Sequence, residues 1–96
     1  MKTNKALNKS EIQKYNKEIL DWELAKNFNK ISKEFKFKDF KQAISFVKKV
    51  AQIAEREDHH PDIHILYNKV LIELSTHSVG GLSPKDFIVA SQIDAI

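Results

Sequence analysis

Two short runs of alternating apolar and polar residues, one directly after the other, constrain this chain more than any other feature. The apolar members are Ile63, Ile65 and Tyr67 in the first run and Val70, Ile72 and Leu74 in the second. A period of two places alternate side chains on one face of a β-strand. The spacing therefore predicts a β-hairpin with one buried face and a tight turn at Asn68-Lys69.

The turn decides which residues face each other across this hairpin. With Asn68 and Lys69 in the loop, Ile65 faces Ile72, and the same arithmetic continued outward sets His60 opposite His77. A shift of one residue would set apolar side chains against polar ones, so the pattern selects this parity. Directly opposed Cβ atoms lie ~4.5–5.5 Å apart. The hairpin therefore predicts that two histidines lie close together at its open end.

A long helix is predicted before the hairpin. Asp39 and Gln42 have the spacing of a helix-capping pair. Apolar residues then recur at helical spacing over four turns, at Phe40, Ala43, Ile44, Val47, Val50, Ala51 and Ala54. The helix should end near His59, because the residue before Pro61 is biased away from helical dihedrals.

Two shorter helices are predicted near the chain ends. Ser10 with Gln13 resembles a capping box, which predicts a first helix over about Glu11 to Leu20. Ser83 as N-cap and Pro84 at the first helical position predict a third helix that runs to the C-terminus.

The remaining segment, residues 22–38, predicts two strands joined near Asn27 to Lys30. The element order is then α-β-β-α-β-β-α. This order indicates an α+β domain with a four-stranded antiparallel sheet and helices packed on one face. Ninety-six residues suffice for one such domain. We expect a flexible N-terminus over residues 1–9 and a single domain over residues 10–96.

Composition excludes several classes of function. The chain has no cysteine, which excludes disulfides and thiolate metal sites and favours a cytoplasmic protein. Residues 1–9 lack an apolar signal core, and no run approaches the ~20 apolar residues of a membrane span. Residues 1–54 hold thirteen lysines against six acids. Nucleic-acid recognition is disfavoured, because Arg56 is the only arginine and base and phosphate contacts depend strongly on arginine.

Histidines gather where the second helix is predicted to meet the hairpin. Glu55 and His59 are four residues apart on the last helical turn, with Asp58 beside them. His60 and His77 approach from the hairpin. Imidazole titrates near ~6.5, and nearby carboxylates tune it and set its tautomer. The cluster therefore favours general acid–base chemistry.

Other interpretations of the histidines stay open. His59, His60 and His77 could supply three imidazoles to zinc, although adjacent histidines on an irregular turn rarely point together. A histidine at a helix end can also serve only as a dipole partner. The remaining histidine, His64, lies on the opposite strand face, where we expect a solvated pair with Glu73.

The motif in this region is long. It consists of an acidic residue, three residues, His-His-Pro, five residues, an aromatic residue, nine residues, His, eight residues and Asp. The positions are occupied by Glu55, His59-His60-Pro61, Tyr67, His77 and Asp86. In this motif the chain resembles pterin-4a-carbinolamine dehydratase. Further segments look like the family's: Phe37-Lys38-Asp39-Phe40, Tyr67-Asn68-Lys69-Val70, Ser75-Thr76-His77 and Gly80-Gly81-Leu82, with Trp22 upstream. The likeness covers about residues 10–96.

The resemblance implies the same fold and a reaction that needs neither metal nor cofactor. The family dehydrates 4a-hydroxytetrahydropterin to quinonoid dihydropterin, which recycles the cofactor of aromatic amino-acid hydroxylases. It implies that His59, His60 and His77 are catalytic. Glu55, Asp58 and Asp86 are grouped as supporting carboxylates, and the candidates for pterin contact are Trp22, Pro61, Ser75 and Thr76. The position of Asp86 in the first turn of the third helix also explains it as a helix charge.

Two expectations about partners accompany the resemblance. Family members form dimers or tetramers, which suits a small core, so we expect a homodimer or homotetramer. Animal members also serve as dimerisation partners of a homeodomain transcription factor, and nothing in this sequence supports that role. A non-catalytic interaction module on the same fold remains the alternative to an enzyme.

Overall fold

The computed structural model describes residues 6–96. The elements in chain order are α1 (Lys9–Asn16), β1 (Glu23–Leu24), β2 (Ile31–Lys36), α2 (Phe40–Glu57), β3 (Asp62–Leu66), β4 (Lys69–Leu74) and α3 (Pro84–Asp94). A single 3₁₀ turn, His77–Val79, precedes α3. The predicted order α-β-β-α-β-β-α is confirmed. Within residues 6–96, no helix combines the length and apolar character needed to cross a bilayer.

The four strands form one antiparallel sheet in the order β1-β2-β4-β3. The central strand β4 turns Val70, Ile72 and Leu74 toward the helices, and all three are fully buried. Helices cover this face and complete the core with Ala43, Phe46, Val50 and Ile53 from α2 and Phe87, Val89, Ala90 and Ile93 from α3. The predicted α+β architecture, with helices on one face of the sheet, is confirmed.

The register of the hairpin differs from the predicted one by two residues. Ile63 pairs with Ile72 and Ile65 with Val70, so the loop is Tyr67-Asn68 and not Asn68-Lys69. The predicted parity is confirmed, because the alternating apolar sets still share one face. The predicted pairings themselves are wrong.

Strand β2 explains the shift. Phe37 donates its N–H to the Asn68 carbonyl oxygen at 2.8 Å, and the Asn68 side chain donates back to the Phe37 carbonyl oxygen at 3.1 Å. These bonds extend the β2–β4 ladder past Lys36 and Lys69. They hold Asn68 at the tip, and Tyr67 closes the loop with a left-handed φ of 52°.

The register also changes the open end of the hairpin. Pairing between β3 and β4 ends at Asp62 and Glu73. Beyond it, Thr76 pairs with Gly81 and not with a residue that precedes β3. The predicted opposition of His60 and His77 across the hairpin is therefore wrong.

Helix α1 starts earlier and ends earlier than predicted. Its capping box is Asn8 with Glu11: each backbone N–H donates to the other's side-chain oxygen at 2.9 Å. The predicted box of Ser10 and Gln13 and the end at Leu20 are wrong. Residues 1–5 of the expected flexible N-terminus, residues 1–9, lie outside the described residues. Among residues 6–9, Leu7 donates its N–H to the Leu82 carbonyl oxygen at 2.8 Å.

Helices α2 and α3 begin where predicted and are linked to each other by polar contacts. Asp39 accepts the Gln42 N–H at 2.9 Å as the N-cap of α2. At the other end of α2, the Glu57 carboxylate accepts hydrogen bonds from Gln92 and Lys85 of α3. These donors, Gln92 first, hold the pKa of Glu57 below its usual value despite some desolvation. The C-terminus of α2 is thereby held against α3.

Candidate active site

The end of α2 determines where His59 lies. Asp58 adopts a left-handed conformation with φ 51° and ψ 45°. The Asp58 N–H donates to the Glu55 carbonyl oxygen at 3.3 Å, and the His59 N–H donates to the Ala54 carbonyl oxygen at 3.0 Å. This pair of bonds is a Schellman motif, here without the usual glycine. It confirms that the helix stops next to His59 and fixes the backbone from which that imidazole projects.

The His59 imidazole contacts α3. Its Nε2 atom lies 2.6 Å from Oδ1 of Asp86. The Asp86 side chain is fully buried, and that of His59 is only 13% exposed. Since Asp86 lies in the first turn of α3, this contact joins the C-terminal end of α2 to the N-terminal end of α3.

The second carboxylate oxygen of Asp86 is also satisfied. Its Oδ2 atom accepts the Thr76 hydroxyl at 2.7 Å and the Ser83 N–H at 3.0 Å. The Thr76 hydroxyl in turn lies 2.7 Å from the Ser83 hydroxyl. Asp86 is therefore a helix-terminal charge, as one interpretation held, and a partner of His59 as well. A buried carboxylate is tolerated here because donors surround it.

The neighbouring histidine has a different partner. His60 Nε2 lies 2.5 Å from Glu55 Oε2, with side chains that are 56% and 78% exposed. Glu55 and His59, expected together on the last helical turn, do not share a helical face, because the Schellman turn removes His59 from the face that carries Glu55. The structure thus separates the two adjacent imidazoles, one against a buried carboxylate and one against an exposed one.

His77 opens the 3₁₀ turn and is exposed. The turn closes when Gly80, with φ 66°, donates its N–H to the His77 carbonyl oxygen at 3.1 Å. His77 directly follows Thr76, and consecutive Cα atoms are 3.8 Å apart. The bond from Thr76 to Asp86 therefore keeps the His77 backbone beside the group that holds His59.

Three other predicted residues flank this group. Asp58 is exposed at the end of α2, and Pro61 and Ser75 are half-buried next to β3 and β4. Within residues 6–96, no cluster of three or more histidine, aspartate or glutamate side chains is arranged to hold a metal ion.

Trp22 lies elsewhere. It is 4% exposed, and its indole N–H donates to the Asp94 carboxylate at 3.0 and 3.1 Å. Asp94 follows Asp86 by eight residues on α3, or ~12 Å at 1.5 Å per residue. Trp22 is therefore not part of the group that His59 forms with Asp86, Thr76 and Ser83.

Sequence reasoning missed the group around Asp94. Besides Trp22, Asp94 accepts the Leu20 N–H at 3.0 Å and the Lys33 ammonium at 2.8 Å. Lys33 lies on the covered face of β2, opposite Ile72, so its position between Ile31 and Phe35 is the signal that identifies it as partly buried. These contacts anchor the C-terminal end of α3 to the sheet.

His64 forms the predicted pair with Glu73, at 3.0 Å. The contact is diagonal, because His64 is opposite Leu71 in the ladder. A hydrogen bond from Lys30 and then the one from His64 lower the pKa of the Glu73 carboxyl, against a smaller desolvation effect. His64 belongs to this exposed group on the uncovered face of the sheet.

A protein family and its named members match nearly the full length of this chain. Residues 5–96 match the family model described as pterin 4 alpha carbinolamine dehydratase. A protein of Sulfolobus acidocaldarius is 46% identical over 90 residues, covering 94% of this chain and 97% of its own. One of Picosynechococcus sp. is 48% identical over 90 residues, covering 94% and 96%. Both carry the name "Putative pterin-4-alpha-carbinolamine dehydratase".

Solved structures show the same fold. A crystal structure from Brucella melitensis, described as transcriptional coactivator/pterin dehydratase, has a TM-score of 0.89 and 34% identity over 94% of this chain and 96% of its own. A pterin dehydratase-like protein, described as a RuBisCO assembly factor in the alpha-carboxysome, has a TM-score of 0.68 over 79% of this chain and 88% of its own. At 22% identity, this second likeness concerns the fold alone.

Proposed function

The chain belongs to the pterin 4 alpha carbinolamine dehydratase family, and we propose that it dehydrates 4a-hydroxytetrahydropterin to quinonoid dihydropterin and water. One observation carries the proposal beyond family membership: a largely buried imidazole, His59, is held at 2.6 Å by a fully buried carboxylate, Asp86. Such a pairing orients one ring nitrogen and leaves the other to exchange a proton.

The reaction needs two proton transfers. The bond between C4a and the hydroxyl oxygen breaks as that oxygen receives a proton and leaves as water. N5 gives up its proton, and the electron pair of the N5–H bond forms the C4a=N5 double bond. Because one proton is donated and one accepted, imidazoles can return to their starting state after each turnover, and the step needs no oxidant or reductant.

We assign the proton transfers to His59, His60 and His77. His59 and Asp86 supply the oriented imidazole, while the exposed His60, with Glu55, and the exposed His77 are free to meet a substrate from solvent.

The pterin site is proposed next to these histidines. Pro61 and Ser75 are half-buried at the adjoining strand ends and stay candidates for substrate contact, and Asp58 stays a candidate for tuning. Trp22 is left outside the proposed site, because its indole is buried against Asp94 at the far end of α3.

A stopped-flow assay tests the function. 4a-Hydroxytetrahydropterin is generated enzymatically by a hydroxylase, and its decay is followed with and without this protein. We expect the protein to accelerate formation of the quinonoid product at catalytic concentration, with no loss after metal chelation. A decay rate unchanged by stoichiometric protein would reject the proposal.

We also propose that the protein is a homo-oligomer. Strand β3 is one of the two edges of the sheet, so its outer backbone groups are unpaired within residues 6–96, and its Ile65 and Leu66 are 39% and 59% exposed. Exposed apolar edges are common sites of strand pairing between chains. Light scattering after size exclusion should give a dimer or tetramer, and a monomer at assay concentration would contradict this.

A non-catalytic interaction module is the second candidate. It is favoured by the relative described as both transcriptional coactivator and pterin dehydratase, at 34% identity. An inactive protein in the stopped-flow assay that nevertheless binds one macromolecular partner with micromolar or tighter affinity would support this alternative.

A further inference from the structure

The available hydrogens determine which atoms donate and which accept in the hydrogen bonds around Asp86. An ionised carboxylate only accepts hydrogen bonds, so the Thr76 hydroxyl must donate to Asp86 Oδ2 across 2.7 Å. A hydroxyl has one proton. The 2.7 Å contact between Thr76 and Ser83 must therefore use the Ser83 proton, with Thr76 accepting it. The chain of donors runs from Ser83 to Thr76 to Asp86.

The contact between His59 and Oδ1, the other carboxylate oxygen of Asp86, also has a defined donor. Oδ1 of the carboxylate also only accepts, so His59 Nε2 must carry the hydrogen at 2.6 Å. Neutral imidazole carries one ring hydrogen, so Nδ1 is left as the acceptor. We infer that Thr76 and Ser83 are positioning residues that fix Asp86, which in turn makes Nδ1 of His59 the nitrogen that works on the substrate.

Thr76 is well placed for this role because its backbone is held independently of its hydroxyl. Its N–H donates to the Gly81 carbonyl oxygen at 2.7 Å, and its carbonyl oxygen accepts the Gly81 N–H at 3.4 Å. The 3₁₀ turn and the left-handed Gly80 close the segment between them. This loop brings Thr76 and Ser83, seven residues apart in sequence, within hydrogen-bonding distance.

This role replaces the one that sequence resemblance implied for Thr76. Its hydroxyl proton is used on Asp86, and one of its two oxygen lone pairs is used by Ser83. Thr76 thus has no proton left to donate to a pterin. It acts through Asp86 and His59, and its catalytic consequence rests on the proposed function.

Nuclear magnetic resonance of the intact protein tests the inference without substrate. Spectra of protein with ¹⁵N-labelled histidine, recorded about two pH units above the ordinary imidazole value of ~6.5, report which ring nitrogen carries hydrogen. A His59→Gln variant assigns the His59 signals. In the wild type we expect hydrogen on Nε2, and a dominant Nδ1–H form would overturn the inference, whatever any variant does.

Substitutions then test Thr76 itself. Thr76→Val keeps the shape and removes the hydroxyl, so we expect a mixture of His59 tautomers; Thr76→Ser should restore the wild-type spectrum. Ser91→Ala removes a hydroxyl from the exposed face of α3 and serves as the matched control, with an unchanged spectrum. An unchanged His59 spectrum in folded Thr76→Val would overturn the inference.

Kinetics separate positioning from binding. In Thr76→Val we expect kcat to fall about 10- to 100-fold with KM within about twofold of the wild type, the pattern for a misplaced catalytic group. A raised KM at unchanged kcat would make Thr76 a pterin-binding residue and overturn the inference. If Thr76→Val fails to fold, Ser83→Ala takes its place, with an expected loss in kcat of about threefold and the same tautomer mixture.

The two proposals can fail separately. A wild type that shows the Nε2–H tautomer, and a Thr76→Val variant that loses it, would support the positioning role even if neither protein dehydrates the pterin. In that case only the proposed function is rejected.

Discussion

His59 and Asp86 face each other across the junction of two helices, with 2.6 Å between Nε2 and Oδ1. Asp86 also accepts the Ser83 N–H at the start of α3. One fully buried carboxylate therefore orients an imidazole and satisfies a helix N-terminus. A change at Asp86 should affect activity and stability together.

Asp86→Asn should slow dehydration by about 100-fold or more, the scale for loss of general acid–base function. The amide cannot accept from His59, Thr76 and Ser83 in the same arrangement, so the free energy of unfolding should fall by about 1–3 kcal/mol. Stopped-flow rates and urea denaturation measure the two effects. A variant with wild-type activity would contradict the assignment of His59.

His60→Ala and His77→Ala should each slow dehydration by about 100-fold or more while leaving a folded protein. Both side chains are exposed, so their removal creates no cavity. His64→Ala is the matched control: it removes an exposed histidine from the uncovered face of the sheet and should leave the rate unchanged. Full activity in both test variants, with unchanged circular dichroism, would remove these two residues from the mechanism.

Asp58→Gly should raise the free energy of unfolding by about 0.5–1 kcal/mol. Glycine adopts the left-handed φ of 51° without strain, and the substitution removes a negative charge from a helix C-terminus. Asp58→Ala, which keeps a Cβ at this φ, is the comparison and should be less stable than the glycine variant. Urea midpoints measured side by side decide; equal midpoints for Gly and Ala would show that the left-handed strain is negligible.

Asp94→Asn should lower the free energy of unfolding by about 2–3 kcal/mol, because it leaves the Lys33 ammonium without its charged partner in a largely buried site. Lys30→Met breaks an exposed pair with Glu73 and should cost less than about 1 kcal/mol. Denaturation of the two variants under identical conditions provides the comparison. Similar losses in both would show that burial of the Lys33–Asp94 pair adds nothing.

Stability should depend on Glu73 at acid pH. Lys30 and His64 lower the pKa of this carboxyl from its usual 4.5, so the stabilisation is fully present above pH 4.5. It is lost as pH falls through the lowered value. Glu73→Gln should therefore lose less stability than wild type between pH 7 and pH 3, by less than about 1 kcal/mol because the pair is at the surface. Lys30→Met should also lose less stability than wild type between pH 7 and pH 3. Parallel curves of unfolding free energy against pH for all three proteins would contradict the effect of Lys30 on Glu73.

The hairpin shows how far the amino-acid pattern determines the fold. Alternation identified the strands and the buried face, because a one-residue slip would expose every apolar side chain. A two-residue slip keeps that face, so alternation does not distinguish the predicted register from the observed one. The choice comes from Asn68 and its two bonds to Phe37, a contact between residues 31 positions apart that local patterns do not reveal.

Helix ends show a similar limit. Asn8 with Glu11 and Ser10 with Gln13 both fit the capping pattern, and the observed choice is the one that places Leu7 and Ile12 at the flanking apolar positions. The corresponding flanks of Ser10 and Gln13 are Lys9 and Lys14, so the apolar flanks are the sequence signal for the observed start.

The sequence motif groups His59 with Asp86, but it does not predict which side chains contact each other. The motif contains His59 and Asp86, 27 residues apart, yet their contact depends on the Schellman turn at Asp58 and on the packing of α2 against α3. The hydroxyl of Ser83 was predicted only as a helix cap. Its contact with Thr76 required the loop geometry.

The double duty of Asp86 has an evolutionary consequence. A descendant that abandons catalysis while keeping this fold would still need an acceptor for the first turn of α3. At position 59 it would need only a side chain that fills the space and donates to Oδ1 of Asp86, which an amide side chain can do as well as an imidazole. Selection should then preserve the aspartate long after the histidine has drifted. Among sequences of this fold, the histidine is accordingly the better marker of retained chemistry, and the aspartate chiefly a marker of retained architecture.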